Sequence, residues 1–326
     1  KFAITSLEQG ARYQPAGVHG VDAMLGDTLM VNNRNAEAYS VYRRIIDDND
    51  DPNSIYAKRA AEALIRIDRF SEAEKLLTSI PNADADVTVV LLRADIALSR
   101  GETDRALTML DDAVAQWPDD PRVWLKRADA FSRDKDTLGE ALADINQALT
   151  LIPGLSTAYR QKASILARMD RDSDAINALK EAVRLNPQLD DLRIQLMVEM
   201  IRRHMNNDAV EMADDWIKLH SRDVSLRARI ASLFVQGGMT TEAIHVYQDA
   251  LTLEQQPRMV LQLANLLMDA APPRYADAER LFVDAREVSV SDPALLLARA
   301  RMFANTNRVE AAHNDCNLSF KIIPHE

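Results

Sequence analysis

The chain has 326 residues and a formal net charge of −11, from 39 Lys and Arg against 50 Asp and Glu. That excess of carboxylates argues against nonspecific nucleic-acid binding, which works by neutralising phosphates with cations. Hydrophobic residues make up 47%, glycine is scarce, and no run approaches the ~18 uninterrupted apolar residues of a membrane span, so a helix-rich folded chain without a transmembrane segment is expected.

In chain order, the first predicted element is a helix within residues 1–17. Ala3, Leu7 and Gly10 share one of its faces, Pro15 closes it, and no partner helix precedes it. The same face then returns at a fixed interval. Alanine recurs every 33 to 35 residues, at Ala3, Ala38, Ala73, Ala106, Ala141, Ala175, Ala209, Ala243, Ala278 and Ala312. A period in that range is the signature of a repeat array. Four residues after each alanine stand Leu7, Tyr42, Leu77, Leu110, Ile145, Leu179, Ala213, Tyr247, Phe282 and Cys316. Three further on come Gly10, Ile45, Ile80, Ala113, Ala148, Ala182, Trp216, Ala250, Ala285 and Ser319. Offsets of 0, 4 and 7 lie on one face of an α-helix, so each unit contains an amphipathic helix, here helix B. Pro15, Pro118, Pro153, Pro187 and Pro324 recur twelve residues past the alanine, where proline ends a helix.

A second helix, helix A, precedes helix B in every unit. In Val123 to Phe131, large residues flank a small one at helical spacing. The small residue returns as Gly26, Ala61, Ala94, Ala128, Ala163, Ala231, Ala264 and Ala300. Small residues at fixed positions allow the close helix approach that ridge-and-groove packing needs. A short turn with Gly101, Gly238 or a polar pair such as Asp68-Arg69 joins the two helices. Nine complete repeats are expected after the first helix, near 18–52, 53–85, 86–120, 121–155, 156–189, 190–223, 224–256, 257–291 and 292–326. Repeat 6 exchanges its bulky and small helix-B positions, Ala213 and then Trp216, roughly conserving volume. In repeat 8, Pro272 and Pro273 lengthen the turn.

The aromatic residue early in helix A (Trp124, Tyr159), the small residue four later, the helix-B alanine with its bulky successor and the closing proline together resemble the tetratricopeptide repeat (TPR) family. The resemblance covers almost the entire chain. It implies an all-α fold, an α-α superhelix or solenoid of antiparallel helix pairs. Residues 1–17 would be helix B of a truncated preceding repeat, and 18–326 nine tandem repeats forming one superhelical domain. No polar capping helix is legible at either end, which leads to the expectation of a piece of a longer protein.

Chemistry is hard to find. Cys316 is the single cysteine, so no intramolecular disulfide can form, and its helix-B position indicates packing. The six histidines are scattered; His313 and Cys316 are three apart but lack a second ligand pair for zinc. The run Asp47-Asp48-Asn49-Asp50-Asp51 resembles the start of a calcium loop, yet Pro52 and Lys58 occupy the slots that require Gly and Glu, so a solvated inter-repeat loop is expected. No phosphate-binding glycine loop or nucleophile elbow occurs. Catalytic residues, metal and cofactor are therefore all expected to be absent, and the segment is not expected to be an enzyme.

The resemblance also implies that helix A lines a concave groove where ligands lie. Positions 2, 5, 6, 9, 12 and 13 of repeats 2 to 7 carry ten basic residues: Lys58, Arg59, Arg66, Arg122, Lys126, Arg133, Arg160, Arg168, Arg202 and Arg229. Four acidic residues stand beside them, Glu62, Asp95, Asp129 and Asp191, a surplus of six positive charges. Such segregation would steer an anionic partner. The alternative is an ordinary solvated helix surface. Farther along, the groove turns apolar with Ile194, Val198, Ile201, Val235, Leu261, Met268 and Leu297, either as a binding strip or as packing against neighbouring helices. Two recognition schemes of the family do not fit. The chaperone-tail carboxylate clamp keeps only Lys58, with Glu62 and Leu92 in place of asparagines. The asparagine ladder of the O-GlcNAc transferase superhelix is replaced by Arg59, Leu92, Lys126, Gln161, Gln195 and Arg229.

The expected function is a non-catalytic protein-protein interaction scaffold that binds an anionic peptide or protein segment through the ten basic residues. An alternative is the recognition or regulatory part of a larger enzyme, or of an envelope or secretion assembly of the kind bacteria build with such repeats. A third is self-association through uncapped ends. Cytoplasm and periplasm both remain open as its location.

Overall fold

A computed structural model describes residues 2–13, 19–49 and 55–322, and all regular structure among them is helical. Pro15, Pro324 and the Asp50, Asp51 and Pro52 part of the acidic segment lie outside the described residues. Intrachain contacts divide the chain into two compact units, Lys1–Leu189 and Asp190–Glu326.

Unit 1 opens with α1 (Phe2–Tyr13), a helix B by its pattern. Five helix pairs follow, A then B: α2 (Gly20–Val31) with α3 (Asn35–Asn49), α4 (Ile55–Ile65) with α5 (Phe70–Thr78), α6 (Val87–Ser99) with α7 (Thr103–Gln116), α8 (Pro121–Phe131) with α9 (Leu138–Leu151), and α10 (Ser156–Arg168) with α11 (Asp172–Leu185). Unit 2 contains four pairs: α12 (Asp190–Arg202) with α13 (Asn206–Leu219), α14 (Val224–Gln236) with α15 (Thr240–Leu253), α16 (Pro257–Asp269) with α17 (Tyr275–Asp284) and the short α18 (Arg286–Ser289), and α19 (Pro293–Asn305) with α20 (Val309–Ile322). Within each unit this is an all-α solenoid of antiparallel helix pairs.

The A–B turn has one recurring physical solution. Near the end of helix A a residue takes the left-handed conformation: Asn33, Asp68, Gly101, Asp170, His204, Gly238 and Asn307. The amide of the residue after it reaches the carbonyl five back, as Arg34 N–H does to Leu29, Glu102 to Ala97 and Met239 to Phe234. This Schellman geometry satisfies carbonyls that the helix end leaves orphaned and reverses the chain. Two repeats depart from it. Repeat 4 has a longer turn, over 132–137, in which the Thr137 hydroxyl donates to the Phe131 carbonyl at 2.6 Å. In repeat 8 the turn through Pro272 and Pro273 brings the Arg274 amide to the Leu267 carbonyl at 2.8 Å.

The alanine beat is the core. Ala38 through Ala278 are each at most 3% exposed, and the bulky partners Tyr42, Leu77, Leu110, Ile145, Leu179, Tyr247 and Phe282 are equally sealed. Ala3 is exposed and Ala312 half-buried, at the two ends of the described array. Trp216 and Ala213 are both buried, so the volume exchange in repeat 6 keeps the interior filled. Gly26 shows why the small helix-A position matters: a Cβ there would sit 2.5 Å from the Tyr42 ring.

One expectation is corrected. Asp47 and Asp48 belong to the last turns of α3 and are not in a loop. No glycine or proline interrupts the helix before Pro52, and Arg43 pairs with Asp47 one turn on at 2.8 Å.

Candidate functional site

In unit 1 the A helices stand side by side, α4 beside α6 and α6 beside α8. This alignment brings the predicted basic residues of one repeat within reach of another. Arg59 donates from α4 to Asp27 of α2 at 2.6 Å. Lys126 donates from α8 to Asp95 of α6 at 2.6 Å. Lys58 reaches forward to Asp86 at 2.8 Å. Arg133 donates to the Leu98 carbonyl at 3.0 Å, close to the C-terminal end of α6. Arg168 does the same for the Ser132 carbonyl, just past α8. Both arginines thereby occupy acceptors that a helix end exposes.

Two of the carboxylates serve a second purpose. Asp86 caps α6, accepting from the amides of Thr88 and Val89. Asp120 caps α8 through the Arg122 amide and also takes the Arg122 guanidinium at 2.6 Å. The Arg122 hydrogen bond holds the Asp120 carboxyl below the usual carboxylate range against the opposing effect of burial. Burial pushes Asp86 up, but Lys58 and the two cap amides together outweigh it and leave it lowered.

The remaining pairs are Arg66 with Glu62 at 2.8 Å and Arg133 with Asp129 at 3.9 Å in unit 1, and Arg202 with Glu199 at 2.8 Å and Arg229 with Asp190 and Asp191 at 3.5 and 3.6 Å in unit 2. Asp27, Asp86, Asp120, Glu199 and Asp190 stand outside the counted positions or repeats. Ten cations therefore face nine carboxylates, and the surplus of six shrinks to one. Arg160 is exposed and unpaired, and Arg168 has only its carbonyl partner.

Arg59 and Arg66 also line a cavity of about 330 Å³ with Asp27, Met30, Val31, Asn33, Tyr42 and Glu62. The Tyr42 hydroxyl donates to Asp27 at 2.6 Å. Burial and that carboxylate push the Tyr42 hydroxyl pKa well up, so it remains a donor at physiological pH.

The apolar residues expected in the groove of unit 2 divide. Ile201 and Met268 are buried, Ile194, Val198 and Leu261 are half-buried, and Val235 and Leu297 are 38% and 45% exposed. Packing thus claims the first two, while Val235 and Leu297 present aliphatic surface.

The sequence reading overlooked the clamps between helices A and B. Arg127 of α8 holds Asp144 of α9 through two hydrogen bonds of 2.8 Å and lies 5.1 Å from the Trp124 ring centre. Arg299 holds Asp315 in the same way, at 2.6 and 2.7 Å. The signal was present: a basic residue directly before the small helix-A residue, and an aspartate three after the helix-B alanine. These pairs fix helix A on helix B and leave little for a ligand. Among the described residues no cluster of three or more His, Cys, Asp and Glu is placed to hold a metal ion, and no helix is long and apolar enough to cross a membrane.

Residues 91–156 match one family profile described as tetratricopeptide repeat, and 156–189 match a second with the same description. Residues 91–189 are tetratricopeptide repeats. The chain is 38% identical over 96 residues to a tetratricopeptide repeat and J domain-containing co-chaperone of Fusarium oxysporum f. sp. lycopersici, a match covering 29% of this chain and 18% of that protein. The fold is similar to that of a thermophilic TPR protein from Thermus thermophilus, with 18% identity, a TM-score of 0.50, and 56% of this chain and all of that one covered. A C-terminal part of a TPR repeat-containing protein from Cytophaga hutchinsonii aligns at 16% identity and a TM-score of 0.47, over 72% of this chain and 93% of that one. The TPR fold is consistent with a protein-interaction scaffold, and proteins of this family bind protein or peptide partners.

Proposed function

We propose that this chain is a non-catalytic scaffold that holds an acidic segment of a protein partner against its helix-A face, with Arg160 and Arg168 as the principal contacts in unit 1. The observation that carries this reading is the free guanidinium of Arg160, with Arg168 held only by a carbonyl, beside a face whose remaining cations are already matched by carboxylates. An acidic side chain gains most where no resident carboxylate must be displaced. Lys58, Arg59, Arg66, Arg122, Lys126 and Arg133 contribute by exchanging their present partners, and Arg202 and Arg229 would do so in unit 2.

The test is fluorescence anisotropy with an acidic amphipathic peptide and its neutral scramble, on the parent and on an Arg160→Glu, Arg168→Glu variant. The acidic peptide is expected to bind better than the scramble, to lose that advantage in the variant, and to weaken as salt rises. Equal binding of both peptides to the parent would sink the reading. A second reading, a recognition module of a larger protein, draws support from the Fusarium relative, whose name joins these repeats to a J domain.

A further inference from the structure

The connections 117–120 and 152–155 of unit 1 border a cleft of about 770 Å³, which shares only Arg122 with the cations of the helix-A face. Its apolar wall is built by Trp117, Leu125, Ile152 and Leu155 with the rings of Pro118 and Pro121. Trp117 and Ile152 each directly precede a closing proline and leave the helix with φ of −127° and −133°, in the extended region that a following proline requires. His220 and Glu254 leave their helices in the same way without a proline after them, so the geometry belongs to the repeat. Ile152 is 45% exposed, and beside half-buried Trp117 and Leu155 it forms a continuous apolar wall rather than a lone exposed side chain. The equivalent residues of the next connections are Asn186, His220 and Glu254, so the apolar pair is particular to this place.

The charge at the mouth is unbalanced. Asp120 is satisfied by the Arg122 guanidinium, whereas Asp119 is exposed and unpaired. The cleft thus combines an aromatic and aliphatic wall with one uncompensated carboxylate.

We propose that this cleft is a second docking site, for an extended partner segment that carries a bulky aliphatic side chain next to a lysine or arginine. The aliphatic group enters between Trp117, Ile152 and Leu155, and the cation reaches Asp119. Aromatic-lined grooves suit proline-flanked segments, whose polyproline II conformation is already formed before docking, and an adjacent ion pair fixes their direction. The preferred ligand charge is opposite to that proposed for the helix-A face, and Arg160 and Arg168 take no part, so either reading can fail while the other stands.

The probe is fluorescein-labelled Gly-Pro-Leu-Lys-Pro-Gly-amide, compared by anisotropy with analogues carrying Glu for Lys or Ser for Leu. The protein is the full chain, its Asp119→Lys variant and its Ile152→Ser variant. Both substitutions fall on exposed positions, and unchanged circular dichroism melting confirms the fold. The parent is expected to prefer the Lys peptide over the Glu peptide, and Asp119→Lys to reverse that preference, each by about three- to tenfold. Ile152→Ser is expected to weaken the Leu peptides by roughly tenfold and leave the Ser analogue unaffected. The proposal is overturned if the Lys and Glu peptides bind the parent alike, if neither variant changes binding, or if no peptide binds below about 1 mM.

Discussion

On the helix-A face of unit 1 the exposed side chains are mostly cations engaged with carboxylates, several of them in a neighbouring repeat. On that of unit 2, aliphatic residues such as Val235 and Leu297 share the face with the Arg229 pairs and an Arg301–Asp269 pair. Both units nevertheless run on the same alanine beat, with Ala106, Ala141, Ala209 and Ala243 each 0% exposed. The difference teaches that the fold rests on the interior stripe and the Schellman turns, while the face is free to change its chemistry. Exposed ion pairs contribute about 0–1 kcal/mol each, far less than a buried large side chain at about 1.5–3 kcal/mol, so exchanging one face for another barely disturbs the repeat.

The largest expected effect tests whether unit 2 keeps the same interior as unit 1 by moving its volume. Trp216 is 2% exposed and fills the slot that Ala113, Ala148 and Ala182 occupy in unit 1, while Ala213 takes the bulky slot. Trp216→Ala should destabilise unit 2 by about 3–5 kcal/mol, as truncation of a large buried aromatic does. Adding Ala213→Leu restores the order used in unit 1 and should recover part of the loss. Urea unfolding followed by circular dichroism reads both. A double variant no more stable than the single one would mean that repeat 6 is packed on a different plan.

Next in size is overpacking at the small helix-B position. Ala148 in unit 1 and Ala250 in unit 2 are both 0% exposed. Ala148→Leu and Ala250→Leu should each cost about 1–3 kcal/mol, because a larger side chain must separate helices that already touch. Similar costs in the two units are expected from the shared beat. A loss confined to one unit would show that the repeats of the other close less tightly.

The sequence made the interior legible because burial imposes a period: Ala141, Ile145 and Ala148 can share a face only in a helix, and the spacing repeats. The turn was less visible. Gly101 and Gly238 signalled a left-handed residue, whereas Asn33, Asp170, His204 and Asn307 tolerate the same conformation but occupy many others too, so their presence alone did not mark it. The candidate site was legible in residue type and not in partnership. Counting cations at helix-A positions located Lys58, Arg122 and Lys126, yet Asp86 and Asp120 lie at helix N-caps, outside the counted stripe, and neutralise two of them. An ion pair between repeats depends on how far apart the helices stand, which no single helical period records. The loop-edge cleft was hidden for a related reason, since Trp117 and Ile152 are 35 residues apart and meet only when two connections are stacked.

The smallest expected effect concerns the charge that distinguishes the two faces. Asp120 caps α8 and pairs with Arg122, and Asp223 caps α14 through the Leu226 amide at 2.9 Å without a cation on its carboxylate. Asparagine caps a helix about as well as aspartate, so Asp→Asn at each position removes charge while preserving the cap. Because the folded Asp120 carboxyl is held below its unfolded value, its stabilisation is full at neutral pH. It is lost as pH falls from about 4, the unfolded carboxylate range, through the lower folded value. Asp120→Asn should therefore cost about 0.2–1 kcal/mol at pH 7, and the difference from the parent should fade towards acid and in about 1 M salt. Asp223→Asn should show a smaller change with salt, since no guanidinium pairs with that carboxylate. If the two variants respond alike to acid and to salt, the Arg122 pair adds nothing beyond the cap, and the contrast between the faces has no energetic content.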